Sequence, residues 1–255
     1  MLLVVATLGR RREYLRQTLE SIRVQEVDSD IVIVAPLGSE NIAQDAAEFN
    51  ARLVADPGSL TAAINLGAGV GLTGHEYVNW LNDDDYLEPG SLATTVSALD
   101  ADTDAVVAFG ACRYVDAAGS ELWVSRAGAW APRILGWGPD LIPQPGMLMR
   151  AATWHELGGL DESYSLAFDL DLLLRARKFG TLINVGKIVS NFRWHADSLT
   201  VDDRSRNIAE SERAKRAALS PAARKISWIW ESPVRVATRI AVGVVNRRAR
   251  KSIAL

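Results

Sequence analysis

Short apolar runs separated by helical spacing constrain this chain more than any other feature. LLVVA at residues 2–6 and DIVIVAP at 30–36 are continuously apolar and too short for helices of their own. EYVNWLN at 76–82 and DAVVAFGACRYV at 104–115 have the same character, and ARLVAD at 51–56 is a weaker example. Between them the period changes. Tyr14, Leu15, Thr18, Leu19 and Ile22 fall on one helical face, and helices are also expected over 41–50, over SLTAAINLGAGVG and over EPGSLATTVSALDA, where Pro89 stands near the start. A strand buried on both faces belongs in a parallel sheet covered by helices, and alternating strands and helices give that arrangement. The expected fold class is therefore α/β, a Rossmann-like, mostly parallel central sheet flanked by helices. Ligands of such sheets bind outside the carboxyl ends of the strands.

Beyond Val115 the pattern changes. Residues 116–150 are rich in Gly and Pro and carry Trp123, Trp130 and Trp137, which suits an irregular or antiparallel region. The three tryptophans could cover the apolar face of a sugar or pack in a core. RAATWHELGG and FDLDLLLRARKFG read as helices, and LINVGKIVSNFRWH as one or two strands. The expected organisation is an α/β half over 1–115, a smaller second half over 116–215 and a basic amphipathic helical tail over 216–255.

Charge and cysteine usage narrow the function classes. The formal net charge of −3 argues against a nucleic-acid partner. The charge is uneven: residues 221–255 hold eight Lys and Arg against Glu231 alone, which leaves −10 for residues 1–220. The tail mixes Trp228, Trp230 and Ile240 with Arg235, Arg239, Arg247, Arg248, Arg250 and Lys251, a composition suited to an anionic membrane surface, to packing on the body or to a homodimer. The single cysteine, Cys112, excludes an internal disulfide and reads as a small buried hydrophobe. No run of 18 apolar residues is present and the first residues lack a signal-peptide order, so a cytoplasmic chain is expected, peripheral to the membrane if its tail binds lipid.

The chemistry points to YVNWLNDDDYLEPGSL, residues 77–92. Asp83, Asp84 and Asp85 follow an apolar strand, and like charges at the end of a buried element need solvent or a cation to be tolerated. Carboxylate oxygens in that place suit Mg²⁺ or Mn²⁺. A second acidic pair, Asp169 and Asp171, opens the helix FDLDLLLRARKFG and offers a cap, a general base, or one of each. His195, after the last strand, is a possible further metal ligand. The spacing GAGVG at 67–71 is no dinucleotide loop, because it follows a helical pattern instead of a strand; it reads as a helix exit with a turn.

Three blocks in order carry a resemblance. VVATLGRRREYLRQTLESI, the span from VADPGSL to DDDYLEPGSL, and QPGMLMRAATWHELGGLDESYSLAFDLDLLLRARKFG together resemble the family-2 glycosyltransferases, inverting nucleotide-diphospho-sugar transferases of GT-A fold. The likeness runs over roughly residues 2–200. It implies that Thr7 borders the nucleotide, that Asp56 lies near base or ribose, and that Asn65 belongs to the donor-side helix. It implies a metal at Asp84, with Asn82 and Asp83 in the neighbouring motif positions and Asp85 and His195 as further ligands. It implies Asp169 as general base, with Asp171 its competitor, and a cofactor of Mg²⁺ or Mn²⁺. A UDP-sugar is favoured as donor, with a polysaccharide, a lipid-linked saccharide or a small molecule as acceptor. Two departures stand out: Pro36 and Leu37 occupy the places of a familiar acidic pair, and Ile64 stands where Arg is common before Asn. These departures keep a second possibility open, a weak or inactive GT-A-fold protein that binds nucleotide or carbohydrate.

Overall fold

A computed structural model describes residues 1–125, 128–194, 204–227 and 229. The parallel half is built as the apolar runs predict. β1 (Leu2–Ala6) pairs in parallel with β2 (Asp30–Ala35) on one side and β4 (Tyr77–Asn82) on the other, and β2 pairs with β3 (Arg52–Ala55). The intervening helices are α1 (Arg12–Arg23), α2 (Glu40–Glu48) and α3 (Leu60–Gly71). Ser39 and Ser59 start α2 and α3 by accepting the amides of Ile42 and Ala62, which satisfies donors that a helix start leaves open.

Beyond β4 the sheet becomes mixed. After β5 (Tyr86–Leu87) and α4 (Ser91–Ala101), β6 (Ala105–Val115) runs through the middle of the second half. β7 (Glu121–Val124), α5 (Ala131–Ile134), β8 (Leu148–Arg150), α6 (Ala151–Leu157), α7 (Phe168–Ala176), β9 (Thr181–Arg193), α8 (Arg204–Ala218) and α9 (Pro221–Ile226) follow. The strand order is β3-β2-β1-β4-β8-β6-β9-β5, with β7 on β6. β8 is antiparallel to both β4 and β6, whereas β9 is parallel to β6. One sheet thus spans residue 115: β6, which ends there, pairs with β7, β8 and β9 from beyond it. Residues 230–255, most of the basic tail, lie outside the described residues.

β1 shows why this core holds. Its odd and even residues face opposite sides of the sheet. Leu2 and Val4 pack with Ile64 and Ala68 of α3, while Leu3 and Val5 pack with Leu15 and Leu19 of α1 and Ile42 of α2. Each such fully buried Leu or Val contributes about 1.5–3 kcal/mol. The GAGVG stretch forms the last turns of α3, which ends at Gly71. A Cβ on Gly67 would stand 2.5 Å from Val4 Cγ1, and one on Gly71 would stand 2.7 Å from Leu2 Cδ1. The glycines let the helix close onto β1 and β2.

Candidate active site

The carboxyl ends of β1, β3 and β4 bring together Thr7, Asp56 and the Asn82–Asp85 run. Asp56 closes a tight turn by accepting the amide of Gly58 at 2.9 Å. Thr7 is buried, and its hydroxyl donates to Asp83 Oδ2 at 2.5 Å while accepting the amide of Gly9 at 2.9 Å. The end of β1 therefore orients the first aspartate of the run. Asp84 lies 3.6 Å from the Arg11 guanidinium at the start of α1.

Asp85 differs from the expectation of a metal ligand. It is fully buried and faces inward, with Oδ1 accepting the amide of Arg193 at 3.1 Å and Oδ2 accepting the Asn82 side-chain amide at 3.3 Å. Burial first, and then the neighbouring Asp84 charge, push its carboxyl well above the usual range. Three adjacent aspartates therefore do not share one environment: Asp85 is turned inward onto the Arg193 amide and the Asn82 side chain, away from Asp83 and Asp84.

Arg193, also buried, supports the run from below. Its guanidinium donates to the carbonyls of Asp84 at 3.3 Å and Ala117 at 3.0 Å and to Gln17 Oε1 at 2.5 Å, and it lies 4.1 Å from the centre of the Tyr14 ring. Sequence reasoning missed this residue because an arginine ending a strand carries no local signal of what it reaches.

Asn82 also lines a cavity of ≈ 280 Å³ whose far wall holds Asp169 and Asp140. Asp169 enters it from the first turn of α7. That turn has no side-chain cap; Glu210 of α8 holds the loop that leads into it, its Oε2 accepting the amides of Ser165, Leu166 and Ala167 at 2.9, 2.8 and 3.2 Å. Burial works against the Glu210 charge, but those amides and Arg206 outweigh it and hold its carboxyl below its usual range. Burial raises the Asp169 carboxyl to about 6, against the opposing pull of the Leu170 amide. Asp140 is raised to about 7, by burial and then by the Asp169 charge, against the Ile142 amide and Lys215. Two carboxyls with raised affinity for protons thus share one cavity. Asp140 was not singled out from the sequence: GWGPDLIPQPG has no periodicity to mark it.

An aromatic cluster forms another wall. Tyr114, Phe192 and Trp194 line the cavity, and Trp123 stacks on Tyr114 with centroids 4.6 Å apart and planes at 14°. Trp194 is fixed by its amide, which donates to Val115 O at 2.8 Å. Trp130 and Trp137 are exposed and lie elsewhere. Cys112 is buried beside the cavity, and burial raises its thiol to about 12.

Two expected site residues have other tasks. Asn65 uses both ends of its amide as a clasp: Oδ1 accepts the amide of Leu160 at 2.8 Å and Nδ2 donates to Leu160 O at 2.9 Å. This joins α3 to the Gly158-Gly159 turn instead of presenting a side chain to a nucleotide. Asp171 is buried against Arg175, with Nε 2.7 Å from Oδ2, and Arg175 continues to the carbonyls of Leu157 and Gly159. Asp171 therefore braces α7 on α6, and of the two first-turn acids only Asp169 lines the cavity. His195 lies outside the described residues.

Comparison with known proteins decides the family. The profile described as glycosyl transferase family 2 matches residues 3–152, more than half of the chain. The chain belongs to glycosyl transferase family 2. No curated protein matches it. Solved structures share the GT-A architecture. Residues 1–349 of S. aureus TarS are 15% identical with a TM-score of 0.64, over 88% of this chain and 67% of that one. The same protein in complex with UDP gives 15% identity and a TM-score of 0.62 over 88% of this chain and 68% of that one. The mannosyltransferase PcManGT from Pyrobaculum calidifontis, in complex with GDP-Man and Mn²⁺, is 14% identical with a TM-score of 0.63 over 99% of this chain and 74% of that one. The glycosyltransferase fold is thus present together with its central sheet edge.

The chemistry of that edge fits a divalent cation. Among the described residues no three His, Cys, Asp or Glu side chains converge to enclose an ion. A closed cage is not what Mg²⁺ requires, because it usually takes one or two carboxylates and completes its shell with substrate phosphates and water. Asp83 and Asp84 supply that kind of hard oxygen donor. Among the described residues no helix is long and apolar enough to cross a membrane.

Proposed function

We propose that this family 2 member transfers a sugar, with inversion, from a nucleoside-diphosphate sugar to a hydroxyl group. Asp169 is the base, and Asp84 with Asp83 holds a divalent metal at the donor diphosphate. The observation that carries the reading is the shared cavity: Asn82 of the β4 edge and Asp169 of α7 line the same space, though they come from opposite halves of the chain.

In this reading Thr7 and Asp56 border the nucleotide at the ends of β1 and β3. The acceptor hydroxyl sits between Asp169 and the anomeric carbon. Its oxygen attacks from the face opposite the diphosphate, its proton passes to Asp169, and the bond from the anomeric carbon to the diphosphate oxygen breaks with the electron pair leaving on phosphate. Magnesium or manganese, when bound, supplies positive charge to the departing diphosphate. Asp140, itself raised by burial and by the Asp169 charge, stands beside the base, and Tyr114 and Trp194 offer flat faces for a pyranose ring. Uridine and guanosine diphosphate sugars are the donor classes to test first, given UDP and GDP-Man in the structural neighbours, with uridine favoured. The acceptor is a polysaccharide, a lipid-linked saccharide or a small molecule. The basic tail over 221–255 rests on an anionic membrane surface, so the enzyme works as a peripheral cytoplasmic protein.

Calorimetry with UDP and GDP, with and without Mn²⁺, tests the donor half of this proposal. Metal-dependent binding that Asp84→Asn abolishes is expected. Binding that ignores both chelation and this substitution would remove the metal from the account.

A further inference from the structure

The segment that brings Asp140 into the cavity begins at Gly136 and Trp137, and these two residues line a second, larger groove of ≈ 670 Å³. Arg133, Arg177, Lys178 and Lys215 also line it, with no acidic residue among the lining, and Leu174 and Leu219 add apolar surface. Lys215 is partly committed, since its Nζ donates to Gly138 O at 2.6 Å, and Glu212 and Asp140 act on it electrostatically. Arg133, Arg177 and Lys178 are exposed, and none of the three makes an ion pair among the described residues.

The apolar character is equally unusual. Trp137 is 52% exposed. Phe179, beside Lys178, is 49% exposed, and Ile226, three residues beyond the groove-lining Ala223, is 52% exposed. Apolar side chains that line a groove, here exposed Trp137 with Leu174 and Leu219, mark interaction surfaces. Tryptophan mixed with Lys and Arg on one face matches a lipid interface: the rings enter the headgroup boundary, the long cationic stems follow, and the charges meet anionic lipid. A single-stranded nucleic acid could use the cations and stack bases on Trp137, but it would leave the aliphatic Leu174 and Leu219 without a role.

We propose that this groove is the face by which the folded body docks on an anionic membrane surface. α9, which contributes Ala223, leads directly into the basic tail, so the two surfaces are continuous in the chain. The inference extends the membrane reading of that tail but stands on different residues.

The test is flotation of the full chain with vesicles of phosphatidylcholine alone and of phosphatidylcholine with phosphatidylglycerol, at low and high salt. Wild type is expected to bind only the anionic vesicles, more weakly as salt rises. Arg177→Glu with Lys178→Glu should weaken that binding by about 20-fold or more, from roughly a factor of five per cation lost. Trp137→Ala should weaken it several-fold. Arg177→Gln with Lys178→Gln serves if the reversal fails to fold, as judged by circular dichroism and thermal melting. A separate full-length variant, Arg247→Glu with Arg248→Glu and Arg250→Glu, isolates the tail, and adding the groove reversals to it should still reduce binding. Unchanged binding by the groove variants overturns the proposal, even where the tail variant loses binding and the tail reading stands. Equal binding to neutral vesicles also overturns it. So does release by inorganic phosphate at ionic strength matched with chloride, which would make the groove a simple anion site.

Discussion

Asp169 and Asp140 titrate in a range where ordinary carboxylates are already ionised, at about 6 and about 7. A base must be deprotonated, so turnover should rise with pH through this window. The two groups act as a pair with shared apparent values. Asp140 is raised in part by the Asp169 charge, whereas Asp169 is raised by burial, so Asp140→Asn should leave the acidic limb of the pH–rate profile at about 6; a limb that moves to lower pH would make the Asp140 charge a cause of the shift of the base. The same shifts have a stability consequence. Both carboxyls are raised in the folded state, so their contribution is complete below the ordinary carboxylate range and is lost as pH rises through 6 and 7. Asp140→Asn should therefore raise the melting temperature by about 2–4 °C or more at pH 8 and leave it nearly unchanged at pH 4. A third expectation separates two neighbours. Asp84→Asn should remove metal-dependent donor binding, whereas Asp85→Asn should spare it, because Asp85 faces Arg193 and Asn82. Equal loss of donor binding in both would restore Asp85 to the ligand set. At this scale the sequence marks Asp84 and Asp169 because each begins or ends an element with a clear apolar pattern. It does not mark Asp140, which the chain delivers on an irregular segment, or Arg193, whose partners come from three distant parts of the chain.

The elements explain how that cavity is held open and in register. α7 is fixed at its start by Glu210 from α8 and along its side by the Asp171–Arg175 pair, which reaches the last turn of α6. Asp171→Ala leaves Arg175 partly buried without its carboxylate, a change that costs about 3–5 kcal/mol where pairs are fully buried and less here because Arg175 keeps some exposure. Chemical denaturation should show the loss, while activity per folded molecule persists. A variant with native stability and no activity would instead make Asp171 the base. In the sequence Asp169 and Asp171 are equivalent first-turn acids. Only the approach of Arg175 tells them apart, and that depends on the packing of α6 against α7. The parallel strands were readable because burial on both faces leaves an unbroken apolar run. β5 spans two residues and β8 three, too few for any period to register. The glycines that close α3 were readable as a helix exit, but the reason for their spacing was not, because it is a packing requirement set by Val4 and Leu2, side chains far away in sequence.

At the scale of the molecule, β1 to β4 form the sheet edge at which we propose the donor binds, and the β6–β9 pair with α7 and α8 supplies the opposing wall. The antiparallel β8 joins the two by pairing with both β4 and β6. The account requires that these halves meet for one reaction, with Asp169 as its proton acceptor. The most direct test is the turnover of nucleotide sugar, to acceptor or to water, by wild type and Asp169→Asn at saturating donor and Mn²⁺. The account predicts a loss of about 10²–10⁴ in rate with donor affinity retained. Turnover of Asp169→Asn at the wild-type rate would contradict it.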